Sequence, residues 1–266
     1  MSIRTVPASR GVEWITNAVQ LILKNPLPFL LMGLVIGVAY VIPILGSMAV
    51  AILGPALFAG VAYAGRELES GGIPDFQHLF QAFKEQDRLV KLLILCLPSI
   101  AAGMLLVVAM VVASFFALAG VGVSTAVESP AALFASMGVI GFVLLAVMLA
   151  LSLVVLALTF FAIPEAMFGK LDAMPAMRES LRATLANMGA MLLYLIVMIA
   201  ALFIVMLLFV AISQTLALVV ALSLFTPVSS VVMYLAWKDV VASLHTSEMA
   251  AVTDDAPPPA TGGFVA

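Results

Sequence analysis

The sequence predicts an all-α integral membrane protein with six transmembrane helices, arranged as three repeats of an amphipathic interfacial helix followed by two spans. Of its 266 residues, 65% are hydrophobic and 9% are charged, with a mean hydropathy of +1.26, whereas an ordinary soluble domain is roughly 45–50% apolar. The apolar residues form continuous runs that reach the ~20 helical residues needed to cross a bilayer. Because backbone groups must bond internally in lipid, and the runs lack the alternation of barrel strands, we predict helices.

Six apolar runs define the predicted spans, and polar segments separate them. We predict a cytoplasmic N-terminal segment over 1–26 and a six-span membrane domain over 27–242. Residues 246–266 are rich in Pro, Ala and Gly without a periodic pattern, which predicts a disordered cytoplasmic tail. The spans are predicted at about 27–45, 48–66, 89–118, 138–164, 188–211 and 214–237.

The basic residues predict the orientation of the chain. All 11 Lys and Arg residues fall in the N-terminal segment, in alternate connections between spans, or after the last span. Cytoplasmic connections of membrane proteins carry an excess of Lys and Arg. This places both termini in the cytoplasm, and we expect a multi-pass protein of the bacterial inner (cytoplasmic) membrane.

Each pair of spans follows a polar segment with a helical pattern, at 11–25, 74–88 and 173–187. Apolar residues in the second segment recur at i, i+3, i+4 and i+7, the spacing of one helix face. This pattern predicts a helix lying in the plane of the bilayer interface. The apolar stripe consists of Phe76, Leu79, Phe80 and Phe83.

Two pairs of residues in the first and third segments are candidate contacts to lipid headgroups. Arg10 and Trp14 suit an anchor at headgroup level. Arg178 and Arg182 form a basic pair at i, i+4, and each is expected to contribute about 1 kcal/mol of attraction to an anionic membrane surface. The alternative is that these residues only hold the cytoplasmic side in place.

Small residues in the first two spans predict close helix packing. Gly33 and Gly37 form a GxxxG pattern, and small residues recur every four positions at Ala56, Gly60 and Ala64. Such faces allow helix backbones to approach closely. We therefore expect the first two spans to pack together.

Glu165 is the first candidate for a transport or proton site, because it follows Pro164 near the cytoplasmic end of the fourth span. An ionisable side chain at membrane depth marks a functional site by default. Ser223, Thr226 and Ser230 make the sixth span the most polar and are further candidates. The alternatives are that Glu165 lies at headgroup level and that the hydroxyls bond to neighbouring backbone.

The sequence offers little for catalysis. His78 and Asp75 lie one helical turn apart, but no second histidine or cysteine ligand is nearby. No span carries a catalytic or phosphate-binding motif, and no basic patch suits a nucleic acid. We therefore predict a protein that is not an enzyme and has no catalytic residues, metal site, cofactor or nucleic-acid partner.

The chain resembles an uncharacterised family of multi-pass bacterial inner-membrane proteins, known as a domain of unknown function, over about residues 5–242. The resemblance supports the predicted fold and location and implies no activity. It is carried by Arg10-Gly11 with Trp14, Leu53-Gly54-Pro55 with Gly60, Leu79-Phe80-x-x-Phe83, Pro164, and Ser180 with Asn187.

The functional expectation is a non-enzymatic scaffold or regulatory protein that acts through its cytoplasmic face. Its expected partners are membrane lipids and a protein that binds this face. The polar segments share one side of the membrane, while the spans carry no chemical motif. The alternative is a transporter or channel for a small or amphipathic solute.

Overall fold

The computed structural model describes residues 3–121 and 130–242, and over these residues the chain is helical without any strand. The predicted all-helical class is therefore confirmed. The tail predicted over 246–266 lies outside the described residues.

The helices of the described chain differ greatly in length. The first are α1 (Arg10–Lys24), α2 (Pro26–Val41) and α3 (Leu45–Glu69). A 3-10 turn at Phe76–Phe80 and the short helices α4 (Gln81–Lys84) and α5 (Gln86–Ile94) follow. The rest are α6 (Leu97–Val121), α7 (Pro130–Thr159), α8 (Ala162–Phe168), α9 (Ala173–Ala186), α10 (Met188–Val210), α11 (Gln214–Trp237) and a π-helical turn at Lys238–Ala242.

Five segments of the described chain are helical, long and apolar enough to cross a membrane. A sixth is obtained only if α1 and α2 together count as one span, and these two helices are bent by 110°. The described chain thus has five or six apolar helical segments of sufficient length, where the sequence predicts six spans. The five are Leu45–Glu69, Gln86–Phe115, Gly141–Phe168, Met188–Val210 and Gln214–Val241.

Prolines set both ends of α2. Asn25 precedes Pro26 and is extended (φ −151°, ψ 80°), so α1 ends there and α2 starts in a new direction. At the other end, Ile42 precedes Pro43 and is also extended. The helix therefore ends at Val41, earlier than the predicted span over 27–45, and its 16 residues are about 24 Å long.

The centre of the bundle is the contact between α2 and α11. A Cβ atom built on Gly33 would lie 2.1 Å from the carbonyl oxygen of Ser223 and 2.8 Å from the Pro227 ring. One built on Gly37 would lie 3.0 Å from the Ser223 hydroxyl oxygen. The GxxxG face of α2 therefore packs against α11, a partner that the sequence does not predict.

The small residues of α3 face a different neighbour. A Cβ atom on Gly60 would lie 2.2 Å from the carbonyl oxygen of Leu79, so the 3-10 turn rests directly on the α3 backbone. Ala56 and Ala64, on either side of Gly60, are fully buried. The contact expected between the first two apolar segments is present as well, because α2 also packs on α3.

Helices α6 and α7 form a hairpin that packs mainly on itself. It touches α3 only slightly through α6, and its other contacts are made by the end of α7 with α8 and α9. The hairpin therefore stands beside the rest of the bundle.

The segment predicted as one interfacial helix over 74–88 is divided into three parts. Asp75 begins a 3-10 turn, Phe80 separates it from α4, and the extended Glu85 separates α4 from α5. Of the predicted stripe, Leu79 is fully buried and Phe76 is partly buried against the core, whereas Phe80 and Phe83 are exposed. The break has a packing reason, since the 3-10 turn must fit against Gly60.

We call α1, residues 76–84 and α9 the collar. These three segments lie at the end of the bundle where α3 and α11 end, and each contacts different helices. In particular, α1 contacts α10 and α11, residues 76–84 contact α3, and α9 contacts α7 and α8.

We predict that Gly33→Ala destabilises the protein by about 1–3 kcal/mol, because its methyl group has no room beside the Ser223 backbone and α2 must move away from α11. Gly103→Ala is the matched control, since a Cβ atom there meets nothing within 4 Å. Thermal unfolding in detergent compares the two variants. Equal melting temperatures would contradict the described contact.

Candidate functional site

Glu165 is the only charged residue that the described structure buries, with 3% of its surface exposed. One carboxylate oxygen accepts a hydrogen bond from the Trp237 indole N–H at 2.8 Å. The other accepts from the backbone N–H groups of Lys170 and Leu171 at 3.2 and 3.3 Å. All of these donors hold the loop after α8 against the end of α11. Glu165 therefore acts as a structural acceptor.

Gly169 is required for this arrangement. A Cβ atom at this position would lie 2.0 Å from a carboxylate oxygen of Glu165. Its backbone N–H also donates to the carbonyl oxygen of Glu165 at 2.8 Å, which ends α8. The loop can turn back over the carboxylate only because residue 169 has no side chain.

An aromatic cluster around Phe168 lies next to Glu165. The Phe168 ring contacts Tyr234 and Trp237 of α11, with centroid distances of 5.4 and 5.8 Å. It stacks on Tyr63 at 6.5 Å, and the Arg66 guanidinium lies 5.2 Å from its centroid. Phe168 thus joins α3 to α11 through ring contacts and a cation–π interaction.

Asp239 ties the N-terminal segment to the end of α11. Its carboxylate accepts hydrogen bonds from Arg4 at 3.2 Å, Arg10 at 2.9 Å and the Trp14 indole at 3.2 Å. The bonds from Arg10 to Asp239 and to Glu13 raise the pKa of the Arg10 guanidinium. A single carboxylate therefore fixes both α1 and the segment before it.

Asn187, between α9 and α10, holds the same N-terminal segment from another side. Its side-chain oxygen accepts from the Val6 backbone N–H at 2.8 Å. Its amide group donates to the carbonyl oxygens of Arg4 at 3.1 Å and Ala183 at 3.0 Å. The N-terminal segment is thus bonded to α9 as well as to the end of α11.

Ser180 of α9 bridges the break between α7 and α8. Its hydroxyl donates to the carbonyl oxygen of Ala157 at 2.8 Å and accepts from the Phe161 backbone N–H at 3.1 Å. These backbone groups lie where the helix is interrupted. Ser180 therefore satisfies a buried break that would otherwise carry a large penalty.

The predicted hydroxyl set on α11 makes local bonds. Ser223, Thr226 and Ser230 are buried, and each hydroxyl donates to the carbonyl oxygen four residues earlier, at 2.7, 2.7 and 2.8 Å. Glu165 makes its hydrogen bonds to Trp237, Lys170 and Leu171 instead. The structure does not join the four predicted residues into one polar path.

The predicted headgroup contacts differ between the two pairs. Trp14 is 2% exposed and its indole N–H is bonded to Asp239, so it lies in the core of the collar. Arg10 is bonded to Glu13 and Asp239. Arg178 and Arg182 are exposed on α9, and Arg182 pairs with Glu179 at 3.0 Å.

His78 and Asp75 form a capping box. The Gln77 backbone N–H donates to the Asp75 carboxylate at 2.7 Å, and the Asp75 backbone N–H donates to Nδ1 of His78 at 3.1 Å. The two side chains thus fix the start of the 3-10 turn. Within residues 3–121 and 130–242, no group of three or more His, Cys, Asp and Glu residues is arranged to hold a metal ion.

Comparison with family models, curated proteins and solved structures gives no match for this chain.

The sequence does not reveal the roles of Asp239, Asn187 and Ser180. Each is a common polar residue near a helix end, and its partners are distant in the chain. The available signals are the acidic residue directly after Lys238 and the place of Ser180 and Asn187 among the residues that carry the family resemblance.

We predict that Glu165→Ala destabilises the protein more than Trp237→Phe. The first change leaves the buried Trp237 indole and the partly buried N–H groups of Lys170 and Leu171 without their acceptor, and a buried unsatisfied group costs about 1–3 kcal/mol. The second removes one donor and keeps an aromatic ring beside Phe168. Thermal unfolding in detergent measures both, with Lys170→Gln as a neutral control because that side chain is exposed. An unchanged melting temperature for Glu165→Ala would contradict a structural role.

We predict that Asn187→Ala releases the N-terminal segment. The Val6 amide loses its acceptor, and each 1.4 kcal/mol of lost protection accelerates its hydrogen exchange about tenfold. Hydrogen–deuterium exchange of the peptide over residues 3–9 is the measurement. Asn25→Ala is the matched control, because Asn25 precedes a span in the first predicted repeat and takes part only through its backbone at the end of α1. Equal exchange in the two variants would oppose this role of Asn187.

Proposed function

We propose that this chain is a non-enzymatic, multi-pass protein of the bacterial inner membrane, which acts as a scaffold through lipid and protein contacts on a cytoplasmic collar. The observation that carries the proposal is the contrast between the two faces of the collar. Its inner face is bonded to the helix ends, while the outer face of α9 presents exposed arginine and apolar side chains.

Location in a membrane is supported by the outward surface of the spans. In the segments that contain α6, α7 and α10, at most 17% of the most apolar 18-residue stretch is buried inside the protein. The corresponding shares for the segments of α3 and α11 are 44% and 50%. Large exposed apolar surfaces of this kind are rare on soluble monomers. Lipid is the solvent that matches them.

A cytoplasmic collar is supported by the basic residues. In the structure, Arg10 lies in α1, Lys84 in α4 and Arg178 in α9, all within the collar. Arg66 and Lys238 lie near the ends of α3 and α11, which meet there through the ion pair of Lys238 with Glu69 at 2.9 Å. An excess of positive charge at one end of the spans favours the cytoplasmic side.

The acidic groups at the collar end of the bundle support a structural role. Glu165 and Asp239 each accept several hydrogen bonds from the protein itself. Glu69 accepts from the Tyr234 hydroxyl at 2.6 Å and pairs with Lys238. These bonds lock helix ends together, as a rigid scaffold requires.

The outer face of α9 has the composition of a membrane-contact surface. Met174, Leu181 and Leu185 are 57%, 37% and 57% exposed, and Arg178 is exposed between them. These four residues recur at three- or four-residue spacing, so they share one side of the helix. Apolar side chains can enter the acyl boundary while the guanidinium binds a lipid phosphate.

We expect Arg178→Gln/Arg182→Gln to lower the enrichment of anionic lipid around the protein. Each arginine contributes about 1 kcal/mol at the membrane surface, which is roughly a fivefold change in binding per residue. The protein is reconstituted in phosphatidylglycerol and phosphatidylcholine, extracted gently, and its retained lipids are quantified by mass spectrometry. Lys84→Gln/Lys170→Gln is the charge-matched control. Equal loss of phosphatidylglycerol in both double variants would contradict a specific role of α9.

A transporter or channel for a small or amphipathic solute is the second candidate. One observation favours it, a cleft of about 460 Å³ between α3 and the α6–α7 hairpin. Its volume falls within the roughly 300–1,000 Å³ of small-molecule sites. Under this alternative, flux in vesicles depends on residues that line the cleft, and Glu165 and Ser230 are not among them.

A further inference from the structure

We propose that the cleft between α3 and the α6–α7 hairpin is a binding site for one acyl chain of a membrane phospholipid. The inference rests on the membrane location proposed above and goes beyond the role of the collar. It follows from the shape of the cleft, the chemistry of its walls and its position among the spans.

Small residues on two facing helices create the space. Ala51, Gly54 and Pro55 line the cleft from α3, and Ala102 and Gly103 line it from α6. A Cβ atom on Gly103 would meet nothing within 4 Å, and one on Gly54 only a Val50 methyl group at 4.0 Å. Glycine at these positions therefore leaves open space, unlike Gly33 and Gly60, where the absent side chain admits a neighbouring backbone.

The cleft has a closed floor at the collar end. Ile163 of α8 and Met233 of α11 line it there, and both are buried. Glu165 lies just beyond Ile163 but does not line the cleft. The cleft is therefore separated from Glu165 and its hydrogen-bond donors by apolar side chains, while one side is open to the surface of the bundle.

The walls are suited to a neutral hydrocarbon chain. No charged residue of the described chain lines the cleft. A carboxylate or phosphate group would be desolvated there without a partner, at a large energetic cost. Aliphatic walls such as Leu106, Leu151 and Val155 instead give a chain the dispersion contacts that an empty groove lacks.

A few hydrogen-bonding groups lie among these walls. Ser99, Ser152 and Thr159 contribute hydroxyls. The Ser152 and Thr159 hydroxyls donate to the carbonyl oxygens of Met148 and Val155, both at 2.8 Å. Pro55 has no N–H group, so the Ala51 carbonyl loses its usual helical partner. None of these groups carries charge, so the walls are compatible with the ester-bearing start of an acyl chain.

In a bilayer, acyl chains are also the molecules that surround the helices of the cleft. The three helices that form the cleft belong to spans that are long and apolar enough to cross it. A lipid chain can enter sideways through the open side without leaving the hydrocarbon layer. A solute from water would first have to cross the interface.

The test uses vesicles of phosphatidylcholine with a diazirine in the middle of one acyl chain. The reconstituted protein is diluted into excess unlabelled lipid, irradiated and mapped by mass spectrometry. In the wild type we expect labels to persist on residues 99–106 and 148–159 at about ten times the level on the outer face of α10, because a bound chain exchanges slowly.

Gly103→Leu is the diagnostic variant. Its side chain enters the open space, so the protein should fold with an unchanged or higher melting temperature while label at the cleft falls about tenfold. Gly141→Leu is the control, because a Cβ atom there also meets nothing within 4 Å and Gly141 lies outside the cleft. Label that is lost in Gly103→Leu and kept in Gly141→Leu supports the proposal.

Three outcomes would overturn it. Cleft labelling that persists no longer than labelling of α10 would show ordinary boundary lipid. Equal cleft labelling in Gly103→Leu and Gly141→Leu would exclude a site at this position, and a cleft that stays unlabelled while α10 is labelled would show that lipid does not occupy it. Absence of label on every helix would instead refute the membrane location itself.

Discussion

The hydrogen bond from the Trp237 indole to the buried Glu165 carboxylate is the interaction on which the collar end of the bundle depends. It connects the end of α11 to α8, and through α8 to the hairpin. Two residues later, Asp239 accepts from Arg10 and Trp14 and so connects the same helix end to α1. Side chains two residues apart on a helix point to different sides, so Trp237 and Asp239 reach different partners. One helix end therefore organises segments from both halves of the chain.

Burial explains why these bonds can hold the structure together. An exposed ion pair contributes little, since water competes for both partners. Glu165 and the Trp237 indole that donates to it are both buried, so loss of the carboxylate leaves a buried N–H group unsatisfied. The surface pair of Arg182 with Glu179 is exposed and can break at low cost. This difference separates the locked inner face of the collar from the α9 face that remains available for binding.

Much of the fold could be predicted from the sequence, because continuous apolar runs permit few structures other than helices. Partner choice could not be predicted. Gly33 and Gly37 identify a face that can approach another helix, but their pattern does not say that the partner is α11. Trp14 shows the same limit, since its amphipathic ring suits a headgroup as well as it suits Asp239. For Glu165, the sequence identified an unusual position, and only the three donors around it identify the role. The threefold repeat stays a prediction: Asn187 bonds the N-terminal segment through its side chain, whereas its counterpart Asn25 takes part through its backbone.

Pro55 and Pro227 both lie inside long helices, but their packing environments are opposite. Pro227 lies against Gly33, where α2 and α11 approach most closely. Pro55 lies in the wall of the cleft, where α3 and the hairpin remain apart. Both interrupt the backbone hydrogen bonds of a long apolar helix, and each leaves a carbonyl oxygen without its usual helical partner. At Pro227, close packing with α2 shields the interruption. At Pro55 the interruption lies in the wall of the open cleft. A cleft without an occupant would leave its aliphatic walls without dispersion contacts, so packing favours an occupied cleft, whereas hydrogen bonding locks the collar.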